Sequence, residues 1–173
     1  MEVQEKFITR VSWVVGRSSA AGQCADNVVF LVDKTGSVGI KNWAVSKQFV
    51  VDVIQGLGDS VNIGAISYST DAHVAVPLGS SQDDASVQSA VFGMKYDGSA
   101  ATTLFGMKKL RGAFEGVAGR SVAVIVSDGP TVRGGGPDPE AVAEASAAKS
   151  AGLKIIGIGE LLFVTLFVTC LIF

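Results

Sequence analysis

A chain of 173 residues has room for one domain with one substantial hydrophobic core. Its formal net charge of −2, with no long run of Lys and Arg, argues against a nucleic-acid partner. Hydrophobic residues make up 48% of the chain, and part of this apolar content lies in one uncharged stretch at 161–173.

The N-terminal region does not resemble a secretory signal peptide, because Glu2 and Glu5 stand where positive charge is expected. Residues 1–22 are interpreted as a leader or linker. Two cysteines, Cys24 and Cys170, are too few for a disulfide framework. They either close one long loop or remain two unpaired thiols.

Strands are predicted where β-branched and aromatic residues run together, and helices where apolar residues recur at helical spacing. The predicted elements, in chain order, are a strand at 28–32, a helix at 40–57, strands at 61–68 and 73–78, helices at 83–92 and 105–114, a strand at 121–127, a helix at 140–151 and a strand at 154–159. This alternation predicts an α/β fold with a doubly wound, mainly parallel sheet and helices on both faces. The loop 129–139 is expected to be irregular.

Two strands of this set have distinct expected positions. The run 28–32 shows no alternation of apolar and polar residues, so both its faces should be buried, as in the centre of a parallel sheet. The segments 61–68 and 73–78 are separated by a short Ser-Thr-Asp turn, which indicates an antiparallel pair. Pro77 favours an edge position for the second of them.

Three groups of oxygen-bearing side chains follow predicted strands or precede a predicted helix: Asp33 to Ser37, Thr102–Thr103, and Ser127–Asp128. In an open α/β sheet, ligands bind beyond the carboxyl ends of the strands. Two carboxylates there repel each other, and a divalent cation removes the repulsion. Carboxylate and hydroxyl donors favour Mg²⁺, with Ca²⁺ or Mn²⁺ as alternatives, over zinc. Lys34 is expected to be a solvated neighbour.

The ordered motifs CADNVVFLVDKTGSV from Cys24, VNIGAISYS from Val61 and VIVSDG from Val124 resemble the von Willebrand factor type A (vWA) domain. The likeness extends over 23–160 and is greatest to versions from extracellular matrix and adhesion proteins. The resemblance implies a metal-ion-dependent adhesion site (MIDAS), a non-enzymatic role, and a location outside the cell or at its surface. It also implies a protein ligand that supplies an acidic side chain, with an extracellular matrix protein as one candidate.

The resemblance assigns metal-site roles to residues of this chain. Asp33 matches the first Asp of the family's Asp-x-Ser-x-Ser motif, and Ser37 matches its last Ser. Thr35 stands where Ser is usual and keeps the hydroxyl group. Asp128 matches the Asp of the third loop, and in the family both Asp residues tend to act through waters.

The threonine from the second loop is less directly assigned. In the family it lies five residues before a small residue on the following helix. If that residue is Gly106, the count ends on Ala101, which has no ligating group. A one-residue deletion would bring Thr102 into place, so we predict Thr102 as the ligand, with Thr103 as the alternative.

Two other functions remain open at this point. Asp33-Lys-Thr-Gly is similar to the phosphorylation motif of P-type ATPases, in which Asp is a nucleophile that forms an aspartyl phosphate. That chemistry needs a later pair of Asp residues, and Ser127-Asp128-Gly129 is followed by Pro130, so the second Asp is missing. The other alternative is a vWA scaffold with an inactive metal site.

The tail at 161–173 is too short to cross a bilayer as a helix, which needs ~20 residues. The vWA resemblance implies a further strand and an amphipathic last helix in this region. A truncated or altered end is the first interpretation, and a tail that contacts a membrane is the second. Its uncharged, β-branched and aromatic composition also predicts aggregation.

Overall fold

The computed structural model describes residues 25–57, 59–80, 83–100, 102–129, 132–133 and 136–159. The elements, in chain order, are β1 (Asn27–Asp33), α1 (Gly39–Leu57), β2 (Asn62–Tyr68), β3 (Ala72–Val76), α2 (Asp84–Gly93), α3 (Thr103–Ala113), β4 (Ser121–Val126), β5 (Val132–Arg133), β6 (Gly136–Pro137), α4 (Pro139–Ser150) and β7 (Lys154–Ile158). These bounds agree with the predicted elements to within a few residues.

The main sheet has the strand order β3-β2-β1-β4-β7. The pairs of β1 with β2 and β4, and of β4 with β7, are parallel, whereas β2 and β3 are antiparallel. β3 therefore lies at an edge of the described sheet, as predicted. β1 lies at its centre, and all seven of its residues are buried. The predicted doubly wound fold is confirmed.

Helices cover both faces of this sheet. Because side chains alternate along a strand, Phe30 and Leu31 of β1 enter two different cores. Phe30 packs with residues of α1 and α2, such as Val50 and Val91, on one face. Leu31 packs with residues of α3 and α4, including Met107, on the other face. The buried strand thus anchors both layers and fixes the position of the loops that follow its carboxyl end.

Two local features differ from the sequence prediction. α3 begins at Thr103, two residues earlier than the predicted start at 105. The loop 129–139 is not wholly irregular, since β5 and β6 form a short antiparallel hairpin within it.

α4 begins at a proline, which is compatible with a first helical turn, and the Asp138 side chain accepts a hydrogen bond from the Glu140 amide.

Within the described residues, no helix has the length and apolar character needed to cross a membrane. The predicted leader at 1–22, both cysteines and the hydrophobic tail at 161–173 lie outside the described residues.

Candidate metal centre

Three loops meet at one edge of the sheet because β1, β2 and β4 are parallel and in register. Asp33 at the end of β1 is opposite Tyr68 at the end of β2. Val32 is opposite Val126, so the residue after β4, Ser127, also lies beside the end of β1. Strand register therefore brings chain segments that are far apart in sequence together at the carboxyl edge of the sheet, where this fold class binds ligands.

The Asp33 carboxylate is buried and accepts three hydrogen bonds from other described residues. Its Oδ1 accepts the Thr35 backbone N–H at 2.9 Å. Its Oδ2 accepts the Tyr68 hydroxyl at 3.0 Å and the Ser127 hydroxyl at 2.8 Å. The residue is 3% exposed. A carboxylate offers about four acceptor positions, so one position on Oδ1 remains for a further donor such as a water molecule.

The hydroxyl groups of Thr35 and Ser37 are hydrogen-bonded to each other, with 3.0 Å between Thr35 Oγ1 and Ser37 Oγ, and either group can be the donor. Two Mg²⁺ ligands at adjacent corners of an octahedron, each at about 2.0–2.1 Å, are about 2.9 Å apart. The two oxygens thus have a spacing that suits a small octahedral cation. Thr35 is buried and Ser37 is exposed, so the pair opens to solvent on the Ser37 side.

Tyr68 links the Asp33 carboxylate to α3. Burial raises the pKa of the Tyr68 phenol, and the neighbouring Asp33 carboxylate raises it further, so the hydroxyl stays a hydrogen-bond donor at physiological pH. A hydrogen bond with the Thr103 side chain acts on the same phenol. The ring packs on the backbone of α3 at Gly106, where a Cβ atom would lie 2.8 Å from Tyr68 Cγ.

The structure therefore connects Thr103 to Asp33 through Tyr68. Thr102 is the residue before α3, and its hydroxyl makes no helix-capping hydrogen bond. Its backbone N–H donates to the Ser69 carbonyl at 3.0 Å, which joins the start of α3 to the β2–β3 turn. Both threonines are half-buried. The choice of Thr102 as ligand, with Thr103 as the alternative, stays a prediction.

Asp128 follows Ser127, whose hydroxyl is in contact with Asp33 and with the Gly129 carbonyl at 2.8 Å. Asp128 itself is half-buried. Among the described residues, no group of three or more His, Cys, Asp or Glu side chains is arranged to hold a metal ion. A cation at this edge of the sheet would therefore depend on hydroxyl groups and water as well as on carboxylates.

The predicted solvation of Lys34 is wrong. The residue is 8% exposed, and its Nζ lies 3.1 Å from Asp71 Oδ1 and 2.7 Å from Asp97 Oδ2. Burial by itself would lower the pKa of Lys34, but the hydrogen bonds with Asp97 and Asp71 outweigh it, so the pKa is raised. Lys34 turns away from Asp33 and joins the β1–α1 loop to the β2–β3 turn and the α2–α3 loop.

The β1–α1 and α2–α3 loops are also joined through their backbones. The Gly36 N–H donates to the Ser99 carbonyl at 2.9 Å, and the Gly98 N–H donates to the Lys34 carbonyl at 3.3 Å. A Cβ atom at Gly36 would lie 2.8 Å from the Gly98 carbonyl oxygen, so glycine is required for this approach. Thr35 and Ser37 are consequently presented by a loop with a fixed backbone.

Replacing Lys34 with methionine should destabilise the protein by about 1–2 kcal/mol, because two carboxylates lose their cation while the apolar stem is kept. The expected loss of stability is small because the Asp97 and Asp71 side chains are 39% and 73% exposed, and water weakens ion pairs of exposed groups. Urea unfolding at neutral pH measures the change. An unchanged midpoint would show that the ion pairs contribute nothing.

The same variant gives a test with pH. Burial by itself would raise the pKa of Asp97, but Lys34 and the hydrogen bonds from Ser99 and Ser69 outweigh it and hold the pKa well below its usual range. A carboxyl with a lowered folded pKa stabilises above its unfolded pKa, about 3.9, and this contribution is lost as the pH falls through the folded value. The acid-induced loss of stability below about pH 4 should therefore be smaller in Lys34→Met than in the wild type.

Comparison with known proteins supports the family resemblance. The family model for the von Willebrand factor type A domain matches residues 27–161. Human von Willebrand factor A domain-containing protein 2 is 29% identical over 141 residues, which cover 75% of this chain and 18% of that protein. Mouse collagen alpha-4(VI) chain is 28% identical over 116 residues, which cover 60% of this chain and 5% of the collagen chain. The chain thus spans less than a fifth of the length of these curated relatives.

Solved structures show the same fold. Proximal thread matrix protein 1 from the mussel byssus, in a structure described as having a zinc-occupied MIDAS motif, superposes with a TM-score of 0.64 at 20% identity. The superposition covers 77% of this chain and 37% of the byssus protein. Relatives of this family are mainly interaction modules. With the sheet order, the converging loops and a family match over most of its length, this chain belongs to the von Willebrand factor type A domain family.

Proposed function

We propose that this chain is a protein-binding module whose adhesion depends on a divalent cation, with Mg²⁺ as the preferred ion. The observation that carries the proposal is the pair of hydroxyl groups on Thr35 and Ser37, 3.0 Å apart on the loop that follows the buried Asp33 at the end of β1. Their spacing suits adjacent ligands of a small octahedral cation. The family match supports the same function, because vWA domains are often metal-dependent adhesion modules.

The proposed ligands are Thr35, Ser37 and one threonine at the start of α3. Thr102 is the first choice for that third position, and Thr103, whose side chain is hydrogen-bonded to Tyr68, is the alternative. Asp33 and Asp128 would hold waters of the ion rather than bind it directly, which suits the single acceptor position left on Asp33. When bound, the ion supplies a Lewis acid that accepts a carboxylate oxygen from the partner protein.

The choice of ion rests on the type and charge of the donors. The donors are oxygens, which suit Mg²⁺, Ca²⁺ and Mn²⁺ better than zinc. Calcium, with six to eight oxygen ligands at about 2.3–2.6 Å, also accommodates adjacent oxygens about 3 Å apart, so the preference for Mg²⁺ over Ca²⁺ rests on the small number of charged donors. The byssus protein shows that a related MIDAS motif accepts zinc. Mg²⁺ is therefore the first ion to test, with Mn²⁺, Ca²⁺ and zinc in parallel.

The structure gives little support to the aspartyl-phosphate alternative. A nucleophilic carboxylate needs an oxygen that is accessible to the phosphorus atom of a bound substrate. Asp33 is 3% exposed, and both of its oxygens already accept hydrogen bonds from Thr35, Tyr68 or Ser127. We therefore propose a non-enzymatic role.

The location and the partner are inferred from relatives. A collagen chain and a byssus thread matrix protein support an extracellular or cell-surface location and a partner in the extracellular matrix. A similar bacterial structure is described as a membrane protein, which is compatible with attachment at a cell surface. An acidic side chain on the partner follows from the chemistry of the metal site, because a carboxylate oxygen is a ligand that the proposed cation accepts.

Titrating Mg²⁺ into the wild-type protein tests the proposal by thermal unfolding. Binding to the folded state alone should raise the unfolding temperature by about 5–10 °C at ~100 times the dissociation constant, and EDTA should reverse the rise. Ser37→Ala should weaken Mg²⁺ binding at least about tenfold. It should lower the stability of the metal-free protein by no more than about 1 kcal/mol, because it removes one hydrogen bond with Thr35 at an exposed position.

Ser146→Ala is the matched control, since Ser146 is an exposed serine of α4 whose hydroxyl donates to the Val142 carbonyl. It should retain the full Mg²⁺ response. If no divalent cation changes the unfolding temperature of the wild-type protein, the alternative of a vWA scaffold with an inactive site would be favoured.

A further inference from the structure

A shallow, open groove of about 520 Å³ lies between α3 and the β2–β3 turn. We call it the α3 groove, and its walls are formed by Thr70, Asp71, Ala72, Phe105, Lys108 and Lys109. The helix turns Leu104, Met107 and Leu110 into the core, which leaves this face outside it. Phe105 is one of the large hydrophobic side chains that remain exposed, at 46%. The α3 groove thus offers an aromatic surface that the fold does not use.

The charge of the α3 groove is positive. Lys108 and Lys109 are exposed and form no ion pair with another described residue. Arg111, on the same helix, pairs with Glu115 and Glu144. Asp71, the acidic residue on the opposite wall, is already paired with Lys34. An acidic partner therefore meets two available ammonium groups and a carboxylate whose charge is partly neutralised.

The α3 groove lies beside the loops that carry the candidate metal site, through two contacts. Its Thr70 hydroxyl lies 3.4 Å from Ser99 Oγ, on the loop that contacts the Gly36 backbone. Its Asp71 is bonded to Lys34, which precedes Thr35. At 3.6 residues per turn and about 1.5 Å per residue, Lys109 lies on the same side of α3 as Thr102 and roughly 10.5 Å further along the axis. An extended segment at about 3.3 Å per residue covers that length in roughly three residues.

We propose that the α3 groove binds the segment of the protein ligand next to its metal-directed acidic residue. That segment carries a second acidic side chain about three residues away, which pairs with Lys109. An apolar side chain between the two acids packs on Phe105. The inference rests on the proposed cation-dependent function and adds to it the sequence chemistry of the partner: two acidic residues with an apolar residue between them.

A library of random linear peptides displayed on phage tests the proposal, with selection on the whole chain in Mg²⁺ and elution with EDTA. The selected peptides should share the acidic–apolar–acidic spacing. Lys109→Glu and Phe105→Ala should each weaken their binding at least about tenfold. Both variants should keep the Mg²⁺-dependent rise in unfolding temperature, because neither residue touches the proposed ion.

Two exposed residues of α4 supply matched controls, Lys149→Glu for the charge reversal and Val142→Ala for the apolar truncation. Neither should change binding. EDTA-sensitive peptide binding that survives Lys109→Glu and Phe105→Ala would overturn the α3 groove proposal and leave the metal function standing. Binding that needs the α3 groove but not the cation would overturn it as well, and so would occupation of the α3 groove by a second copy of the chain. Absence of any Mg²⁺ response in the unfolding temperature would instead remove the proposed function.

Discussion

Replacing Asp33 with asparagine is expected to abolish the Mg²⁺-dependent rise in unfolding temperature and to leave the metal-free protein folded. Asparagine has the same shape, and its Oδ1 can accept the Thr35 N–H that Asp33 accepts now. Its Nδ2 can donate to the hydroxyls of Tyr68 and Ser127, which both accept as well as donate. The substitution therefore removes the negative charge and keeps the hydrogen bonds.

Loss of that charge should not destabilise the metal-free protein. Asp33 is 3% exposed, and it forms no ion pair with another described residue, since the adjacent Lys34 pairs with Asp71 and Asp97. A buried carboxylate without a cation has a high free-energy cost. In EDTA, the asparagine variant should therefore unfold at the same temperature as the wild type or a higher one. In Mg²⁺ the wild type should unfold at a higher temperature than the asparagine variant. Thermal unfolding followed by circular dichroism, in EDTA and in Mg²⁺, measures the two unfolding temperatures.

Asp33→Ala separates the charge from the hydrogen bonds. Alanine leaves the buried Tyr68 hydroxyl without its Asp33 acceptor, at a cost of about 1–3 kcal/mol in the metal-free protein, whereas the Ser127 hydroxyl can still donate to the Gly129 carbonyl. If Asp33→Asn loses as much stability in EDTA as Asp33→Ala does, the carboxylate has a structural role and no specific relation to a cation. A retained Mg²⁺ response in the asparagine variant would also contradict the proposed role of Asp33.

The sequence predicted the sheet well because the signal for its central strand is local. The run from Val28 to Val32 has no polar residue, and such a run suits only a strand with both faces covered. The sequence predicts the start of α3 two residues late, because Thr102 and Thr103 have no apolar periodicity of their own. The sequence does not predict the hairpin in the loop 129–139, because its two strands have two residues each, too few to show a pattern.

The surroundings of the candidate site were harder to predict, because they depend on contacts between distant segments. Lys34 looks like a solvated lysine until the β2–β3 turn and the α2–α3 loop bring Asp71 and Asp97 to it. Tyr68 was part of the vWA resemblance, but its hydrogen bond to Asp33 follows from the register of β1 and β2, which the sequence alone does not fix. The one sequence signal for this hydrogen bond is that a tyrosine ends one predicted strand and an aspartate follows another.

Replacing Gly106 with alanine should destabilise the protein by about 1–3 kcal/mol, although alanine favours helices by about 1 kcal/mol over glycine. The added Cβ would lie 2.8 Å from Tyr68 Cγ and 3.1 Å from Cδ1. The Tyr68 ring is fully buried and tied to Asp33 through its hydroxyl, so it cannot move aside cheaply. Urea unfolding measures the loss, and a displaced Tyr68 should also weaken the Mg²⁺ response because it orients Asp33.

Gly112→Ala is the matched control on the same helix, since Gly112 is exposed and a Cβ atom there meets nothing within 4 Å. It should stabilise by about 0.5–1 kcal/mol, so the two substitutions should have opposite signs. A Tyr68→Leu background supplies the second control, because a smaller side chain leaves room for the Cβ. The cost of Gly106→Ala should shrink there, and the difference measures the coupling between α3 and the end of β2. An equal cost in both backgrounds would mean that Gly106 is required for a reason other than the Tyr68 ring, and that α3 does not position Asp33 through it.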